Sequence, residues 1–217
     1  MPRVLLLAGP SDAHMTTDVA GRVLVVCTGN VCRSPYIERR LVQLLAGTGV
    51  EVSSAGTRAL VGAPIEPGSV EALGELEADA AGFAARQITP ALLRDADLVV
   101  TATQRHRHEV VALLPRALRR TFSLGELADL LRDADLGAEM AALETQTPTG
   151  PGAPDASWAA RLAALAWSRR GRSTIRQPEE SDISDPYGRG SAAYVLMSHE
   201  IESQLRVVAE ALRPSST

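Results

Sequence analysis

Residues 22–45, RVLVVCTGNVCRSPYIERRLVQLL, constrain the fold more than any other part of this chain. RVLVVC is a short apolar run of β-branched character, as expected for a strand buried on both faces. Ser34 and Pro35 offer a helix start, with Ser as the cap and Pro at the first helical position. Leu41, Leu44 and Leu45 then recur at helical spacing as far as Gly47. A buried strand feeding a helix through a few residues is half of a β-α-β unit, and such units build parallel sheets.

The alternation continues downstream. VEVSSAG (50–56) reads as a second strand, and a helix is expected over 67–81, with Pro67 at its beginning and Val70, Leu73 and Leu76 on one face. ADLVVTAT (96–103) is a third strand, HRHEVVALLP belongs to the next helix, and RRTFSL is a short fourth strand. Ser123 caps the helix of LGELADLL. Together these predict an α/β fold with a wound parallel sheet and helices on its faces. The pattern fails over about 133–180, where TQTPTGPGAPDAS reads as a linker, followed by a short helix with Trp158, Leu162 and Leu165 on one side. This stretch is too short for a core of its own, so it is expected to be a subfamily insertion in a single domain spanning 21–213. A final helix over about 190–212 carries Ala193, Leu196, Met197, Ile201, Leu205 and Val208 at helical spacing. Residues 1–20 are expected to be a loosely held prefix, or an extra edge strand, since RVLLLAG echoes RVLVVCTG.

A formal net charge of −4 leaves no basic excess for nonspecific binding to nucleic acid or membrane. With only 3% aromatic residues, base-stacking platforms are not expected. PRVLLLAG is shorter than a usual signal-peptide core, and nothing approaches the ~18 apolar residues of a membrane helix. Both cysteines, Cys27 and Cys32, lie in one loop, which suits a reducing cytoplasm rather than a disulfide scaffold. His14, His106, His108 and His199 have no metal-ligand company, so no metal and no cofactor are expected, and His106 and His108 are read as facing solvent. A monomer is the default expectation.

The chemistry lies where the first strand ends. Cys27 closes the strand, Thr28-Gly29-Asn30-Val31-Cys32 form the loop, and Arg33 precedes the helix start at Ser34. Successive N–H groups in such a turn converge on a point, and the helix N-terminus adds unsatisfied donors and about half a positive charge. Arg33 supplies a planar fork matched to two phosphate oxygens. The same field favours thiolate over thiol at Cys27, which makes it a nucleophile. In open α/β sheets, ligands sit beyond the carboxyl ends of the strands, which is where this loop lies.

CTGNVCRSP resembles the signature of the low-molecular-weight protein tyrosine phosphatases. The resemblance extends through SSAGT (53–57), ARQIT, ADLVVTAT and SDPYGRG, covering most of 21–132 and then 182–212. It implies a three-layer fold around a four-stranded parallel sheet and a phosphocysteine intermediate. By motif, Cys27 is the nucleophile and Arg33 the phosphate clamp. Ser34 is the hydroxyl that eases thiolate departure, and Asn30 orders the loop with Ser54. Thr28, Gly29, Val31 and Cys32 complete the phosphate loop. The leaving oxygen needs an acid; SDISDPYG offers Asp182 and Asp185, and the family's Asp-Pro-Tyr segment favours Asp185. Tyr187 then forms a wall for a phenyl ring, and the phosphotyrosine of a protein is the implied substrate.

The chain also departs from its relatives. Leu60 stands where many carry an aromatic wall, Phe83 where a His is common, and Gly188 where a second aromatic follows Asp-Pro-Tyr. Val31 points toward a phenyl substrate, because the arginine-phosphatase branch looks to have Thr there. A phosphoarginine phosphatase and an arsenate reductase recycled by a small thiol are the alternatives on the same fold; no cysteine follows Cys32 to serve a thioredoxin-linked reductase. Cys32 is read either as a disulfide partner that shields Cys27 from irreversible oxidation, or as a small residue packed beneath the loop. Arg169, Arg170, Arg172 and Arg176 form a basic run, read as a solvated face or as a means of steering acidic phosphopeptides.

Overall fold

A computed structural model describes residues 21–146, 156–172, 174 and 176–214. The expectations for residues 1–20 and for most of the proposed linker lie outside the described residues. Four strands form one parallel sheet: β1 (Arg22–Cys27), β2 (Glu51–Gly56), β3 (Leu98–Thr101) and β4 (Thr121–Ser123), in the order β2-β1-β3-β4. The helices are α1 (Arg33–Leu44), α2 (Pro67–Gly74), α3 (Pro90–Asp95), α4 (Gln104–Leu113), α5 (Leu124–Leu131), α6 (Leu136–Gln146), α7 (Trp158–Arg169), α8 (Pro178–Ser181) and α9 (Ser191–Ala211). A 3-10 turn at Pro115–Arg120 leads into β4.

Strand β1 shows how sequence dictates the layers. Successive side chains of a strand face opposite ways. Val23, Val25 and Cys27 enter the larger core, among residues of α1, α5, α7 and α9, whereas Leu24 and Val26 enter the smaller one with Leu93 and Val110 of α3 and α4. An apolar residue at every position is therefore required, and all five from Val23 to Cys27 are buried. The register aligns Cys27 with Gly56, Val26 with Thr101, and Thr101 with Ser123, so all four strands end on one edge.

Three elements differ from expectation. Helix α2 stops at Gly74 because Glu77 takes a left-handed conformation (φ 55°) and the next amide, Ala78 N–H, bonds back to Leu73 O at 3.0 Å. This is the Schellman closure, made here without glycine at the left-handed position. Helix α3 follows Thr89, whose hydroxyl accepts from Leu92 N–H, with Pro90 at the first position. That start signal is strong, but six residues leave no room for a periodic stripe. Helix α6 falls where the apolar pattern failed; it buries only Met140, so it has no periodicity to read. Helix α7, by contrast, buries Trp158, Leu162 and Leu165 as their spacing predicts, and Trp158 Nε1–H donates to Ala211 O at 2.8 Å. Its apolar face joins the larger core.

Three arginines of the basic run, Arg169, Arg170 and Arg176, are engaged by the fold, whereas Arg172 is exposed and donates only to Ser168. Arg170 lies over the rings of Phe122 and Trp167, 4.5 and 4.7 Å from their centroids, and pairs with the buried Glu126 at 2.8 Å. Arg176 pairs with Asp129 at 3.0 Å, and Arg169 pairs with Glu139 and donates to Leu130 O. A guanidinium is planar and apolar on its faces, so it can stack and bridge at once. These bonds tie the segment after α7 to β4 and α5. No described helix is long and apolar enough to cross a membrane.

Candidate active site

At the edge where the strands end, the chain from Cys27 to Ser34 curls into a loop, four of whose carbonyls bond to amides of residues 57–66 outside it. Cys27 O accepts from Thr57 N–H at 2.9 Å, Thr28 O from Arg58 N–H at 2.9 Å, Gly29 O from Leu60 N–H at 3.0 Å, and Val31 O from Glu66 N–H at 2.9 Å. Cys32 O takes the first intrahelical bond, from Tyr36 N–H. The amide N–H groups of Gly29, Asn30, Val31 and Cys32 donate to no group among the described residues. Buried amides are almost always paired. A loop with its acceptors spent outside and its donors facing in is built for an anion.

Asn30 locks this shape. It is fully buried and left-handed (φ 56°), a conformation Asn tolerates better than most residues. Its amide nitrogen donates to Ser34 Oγ at 2.9 Å and Ser54 Oγ at 2.7 Å, and its Oδ1 accepts from Arg86 N–H at 2.9 Å. Ser54 Oγ in turn donates to Glu38. Ser34 was expected to cap α1, but the helix begins two residues earlier, after Cys32, which makes no side-chain cap. The Ser34 hydroxyl is occupied instead beside the cysteine sulfur, with Oγ 3.0 Å from Cys27 Sγ.

Arg33 is buried (5% exposed), yet it reaches the site. Its Nη1 donates to Ile183 O at 3.2 Å, its Nη2 meets Asp185 Oδ2 at 2.8 Å, and its Nε is buried without a partner among the described residues. Asp185 arrives from a segment 150 residues downstream through several anchors. Ile183 N–H bonds to Ala102 O at the end of β3, Asp182 Oδ1 accepts from Gln104 N–H at 2.8 Å, and Glu200 of α9 accepts from both Ser184 N–H and Ser184 Oγ at 2.8 and 2.9 Å. The two acid candidates are thereby separated: Asp182 holds the start of α4, whereas Asp185 faces Arg33 with a side chain 47% exposed.

A cavity of about 190 Å³ opens over the loop, lined by Cys27, Thr28, Gly29, Val31, Cys32 and Arg33, with Asp185, Leu60, Tyr187 and Arg58 around its mouth. Leu60 and Tyr187, the expected walls, are 45% and 54% exposed and both line it. All the sequence-derived residues therefore gather here, with Asn30, Ser34 and Ser54 just behind the wall. Both cysteines are free thiols. Cys32 packs beneath the loop with Sγ 3.9 Å from Tyr194 Oη, and burial pushes its thiol up to about 12, so it stays protonated near neutral pH.

Three contributors escaped the sequence. Arg58 sits on the rim, and only its place directly after SSAGT hinted at it. Glu200 anchors the acid loop from a helix face that reads as ordinary surface. His106, expected on a solvent-facing helix, is buried (3% exposed) between two threonine hydroxyls, with Thr28 Oγ1 at 2.8 Å and Thr103 Oγ1 at 2.7 Å. Thr103 also caps α4, accepting from His106 N–H; the Thr-x-x-His spacing was the available signal. Among the described residues no cluster of His, Cys, Asp and Glu could hold a metal ion.

Residues 22–138 match the sequence profile of the family described as Low molecular weight phosphotyrosine protein phosphatase. A relative from Ralstonia solanacearum, named a probable low molecular weight protein-tyrosine-phosphatase EpsP, is 36% identical over 143 residues, 66% of this chain and 97% of its own length. The low molecular weight protein-tyrosine-phosphatase Etp of Escherichia coli K12 is 36% identical over 104 residues, 48% of this chain and 69% of its own. Among solved structures, Vibrio vulnificus Wzb in complex with benzylphosphonate superposes with a TM-score of 0.59 at 25% identity, covering 88% of this chain and 97% of that one. The YwlE arginine phosphatase from Geobacillus stearothermophilus gives 0.60 at 25% identity, covering 88% and 92%.

Proposed function

Because the chain belongs to the low molecular weight phosphotyrosine protein phosphatase family, we propose that it hydrolyses phosphotyrosine in proteins with Cys27 as nucleophile, Arg33 as phosphate clamp and Asp185 as acid. One observation supports the assignment of residues: in the loop that starts at Cys27, four N–H groups and the buried Nε of Arg33 have no partner among the described residues, and Cys27 and Arg33 line one pocket. A phosphoryl group held by these donors brings its phosphorus over Cys27 Sγ. Attack forms the S–P bond and breaks the P–O bond to the tyrosine, while Asp185 gives its proton to the departing phenol oxygen. The amides and Arg33 stabilise the equatorial oxygens as charge spreads over them. Water, deprotonated by the Asp185 carboxylate, then displaces the sulfur and releases phosphate. Ser34, 3.0 Å from Sγ, donates to the sulfur as it leaves.

Arg33 and Asp185 are in contact at 2.8 Å, so an incoming phosphate dianion competes with Asp185 for the guanidinium. That exchange frees the carboxyl side chain at the moment a leaving group needs it. Leu60, Tyr187 and Val31 present apolar surface around the opening, which suits a phenyl ring better than a guanidino group. No second phosphatase specificity and no arsenate chemistry is favoured by a feature of this site.

The test is turnover of an aryl phosphate by the native protein, Cys27→Ser and Asp185→Ala. Cys27→Ser should abolish turnover, and Asp185→Ala should slow it most for poor leaving groups. Equal rates for native protein and Cys27→Ser would overturn the assignment. Faster release of phosphate from phosphoarginine than from phosphotyrosine peptides would move the substrate class.

A further inference from the structure

His106 is a buried titratable side chain to which the reaction above gives no part. Burial, and next the positive charge of Arg33, pull its imidazole down to about 4, so the ring is neutral over the working range. A neutral imidazole has one donor nitrogen and one acceptor nitrogen, and here each faces a threonine hydroxyl: Nδ1 faces Thr103 and Nε2 faces Thr28. Two proton arrangements are possible. If Nδ1 carries the hydrogen, Thr103 Oγ1 accepts from both the ring and the His106 backbone N–H, and its own proton has no acceptor among the described residues. If Nε2 carries it, both ring nitrogens and Thr103 are matched: Thr103 accepts from the backbone and donates to Nδ1, Nε2–H donates to Thr28 Oγ1, and the one spare proton is that of Thr28. Both threonines are half-buried, but only Thr28 lines the pocket, so the unmatched arrangement, which strands the Thr103 proton away from it, is the costly one. In the matched arrangement the hydroxyl proton of Thr28, a lining residue of the pocket beside Cys27, is left unspent.

We propose that His106 is a positioning residue, which fixes Thr28 at the pocket wall with its hydroxyl proton directed to an oxygen of the bound phosphoryl group. The proposal rests on the oxyanion reading of the loop. It adds one side-chain donor to the amides and Arg33, and it couples that donor to the end of β3 through the cap of α4. A hydroxyl donor to an anionic oxygen belongs to the stronger class of hydrogen bonds.

The experiment is vanadate inhibition and aryl phosphate kinetics for the native protein, Thr28→Val, Thr28→Ser, His106→Phe, His106→Gln and the Thr28→Val/His106→Phe pair. Ring nitrogens of the native protein are also observed by 15N NMR near pH 7. Thr28→Val keeps the shape and loses the donor, so vanadate inhibition should weaken roughly ten- to a hundred-fold. Thr28→Ser should stay near native, His106→Phe should match Thr28→Val, and His106→Gln should recover part of the loss. The double variant should be no worse than the poorer single, because both remove the same interaction. The ring should carry its hydrogen on Nε2. Native-like vanadate inhibition of Thr28→Val, additive losses in the pair, or a hydrogen on Nδ1 would each overturn the proposal. If His106→Phe does not fold, the Thr28 pair and the NMR result still decide. A native protein that neither turns over aryl phosphates nor binds vanadate would defeat the phosphatase assignment itself, an outcome distinct from failure of the Thr28 variants alone.

Discussion

Replacing Asn30 by alanine tests whether the loop is held by the bonds of one buried amide. The native side chain makes three hydrogen bonds, to Ser34 Oγ, Ser54 Oγ and Arg86 N, between 2.7 and 2.9 Å. At about 1 kcal/mol net for each, their loss costs about 3 kcal/mol. Alanine must also adopt φ near 56°, which adds about 1 kcal/mol or more. The sum is about 4 kcal/mol, and at roughly 2–4 °C per kcal/mol for a chain of this size the melting temperature should fall by about 8–16 °C. Asn30→Gly relieves the backbone strain but restores no bond, so it should recover about 1 kcal/mol at most. Thermal and urea unfolding of the three proteins gives these differences directly, and phosphate affinity should fall in parallel as the amides lose their common aim. A melting temperature for Asn30→Ala within about 2 °C of native, with phosphate affinity intact, would refute the idea that this side chain shapes the loop.

Three further outcomes are expected. The folded His106 is held at about 4 by burial while its unfolded value is ordinary, so the unfolded chain binds the extra proton; stability from this group is full above about pH 6.5 and falls by about 3 kcal/mol as pH drops to 4. Urea unfolding across that range should show the loss in native protein and not in His106→Gln. Arg170→Met keeps the stacking volume but strips the nearer cation from buried Glu126, leaving Arg107 at 3.6 Å, and should cost about 2–3 kcal/mol in urea unfolding; a change under about 0.5 kcal/mol would contradict the staple reading. Glu200→Ala releases Ser184 and loosens the Asp185 segment, so kcat should fall between a few-fold and about a hundred-fold with little change in phosphate affinity. An unchanged kcat would remove Glu200 from the positioning of the acid.

Local chemistry determined much of this protein from sequence alone. The all-apolar run of β1 required two covered faces, and the residue types from Cys27 to Ser34 signalled an anion cradle, so both were legible, although residues 54–66 and Arg86 hold the cradle in shape. Helices α7 and α9 announced themselves by periodicity. Tertiary structure decided what depended on distant partners. Ser34 turned from cap to sulfur neighbour because its oxygen accepts from Asn30 and lies against Cys27 Sγ, and His106 moved from the surface to a buried place behind Thr28, a partner 78 residues away in sequence. Arg170 became a staple because Phe122, Trp167 and Glu126 meet it only in the folded core. The Asp-Pro-Tyr resemblance favoured Asp185 over Asp182, but the physical reason is tertiary: the helix start at Gln104 claims Asp182, and Asp185 is left facing Arg33. A sequence displays what a side chain can do, but the choice among its possible partners is made by burial, which assigns each donor and acceptor only when the elements meet.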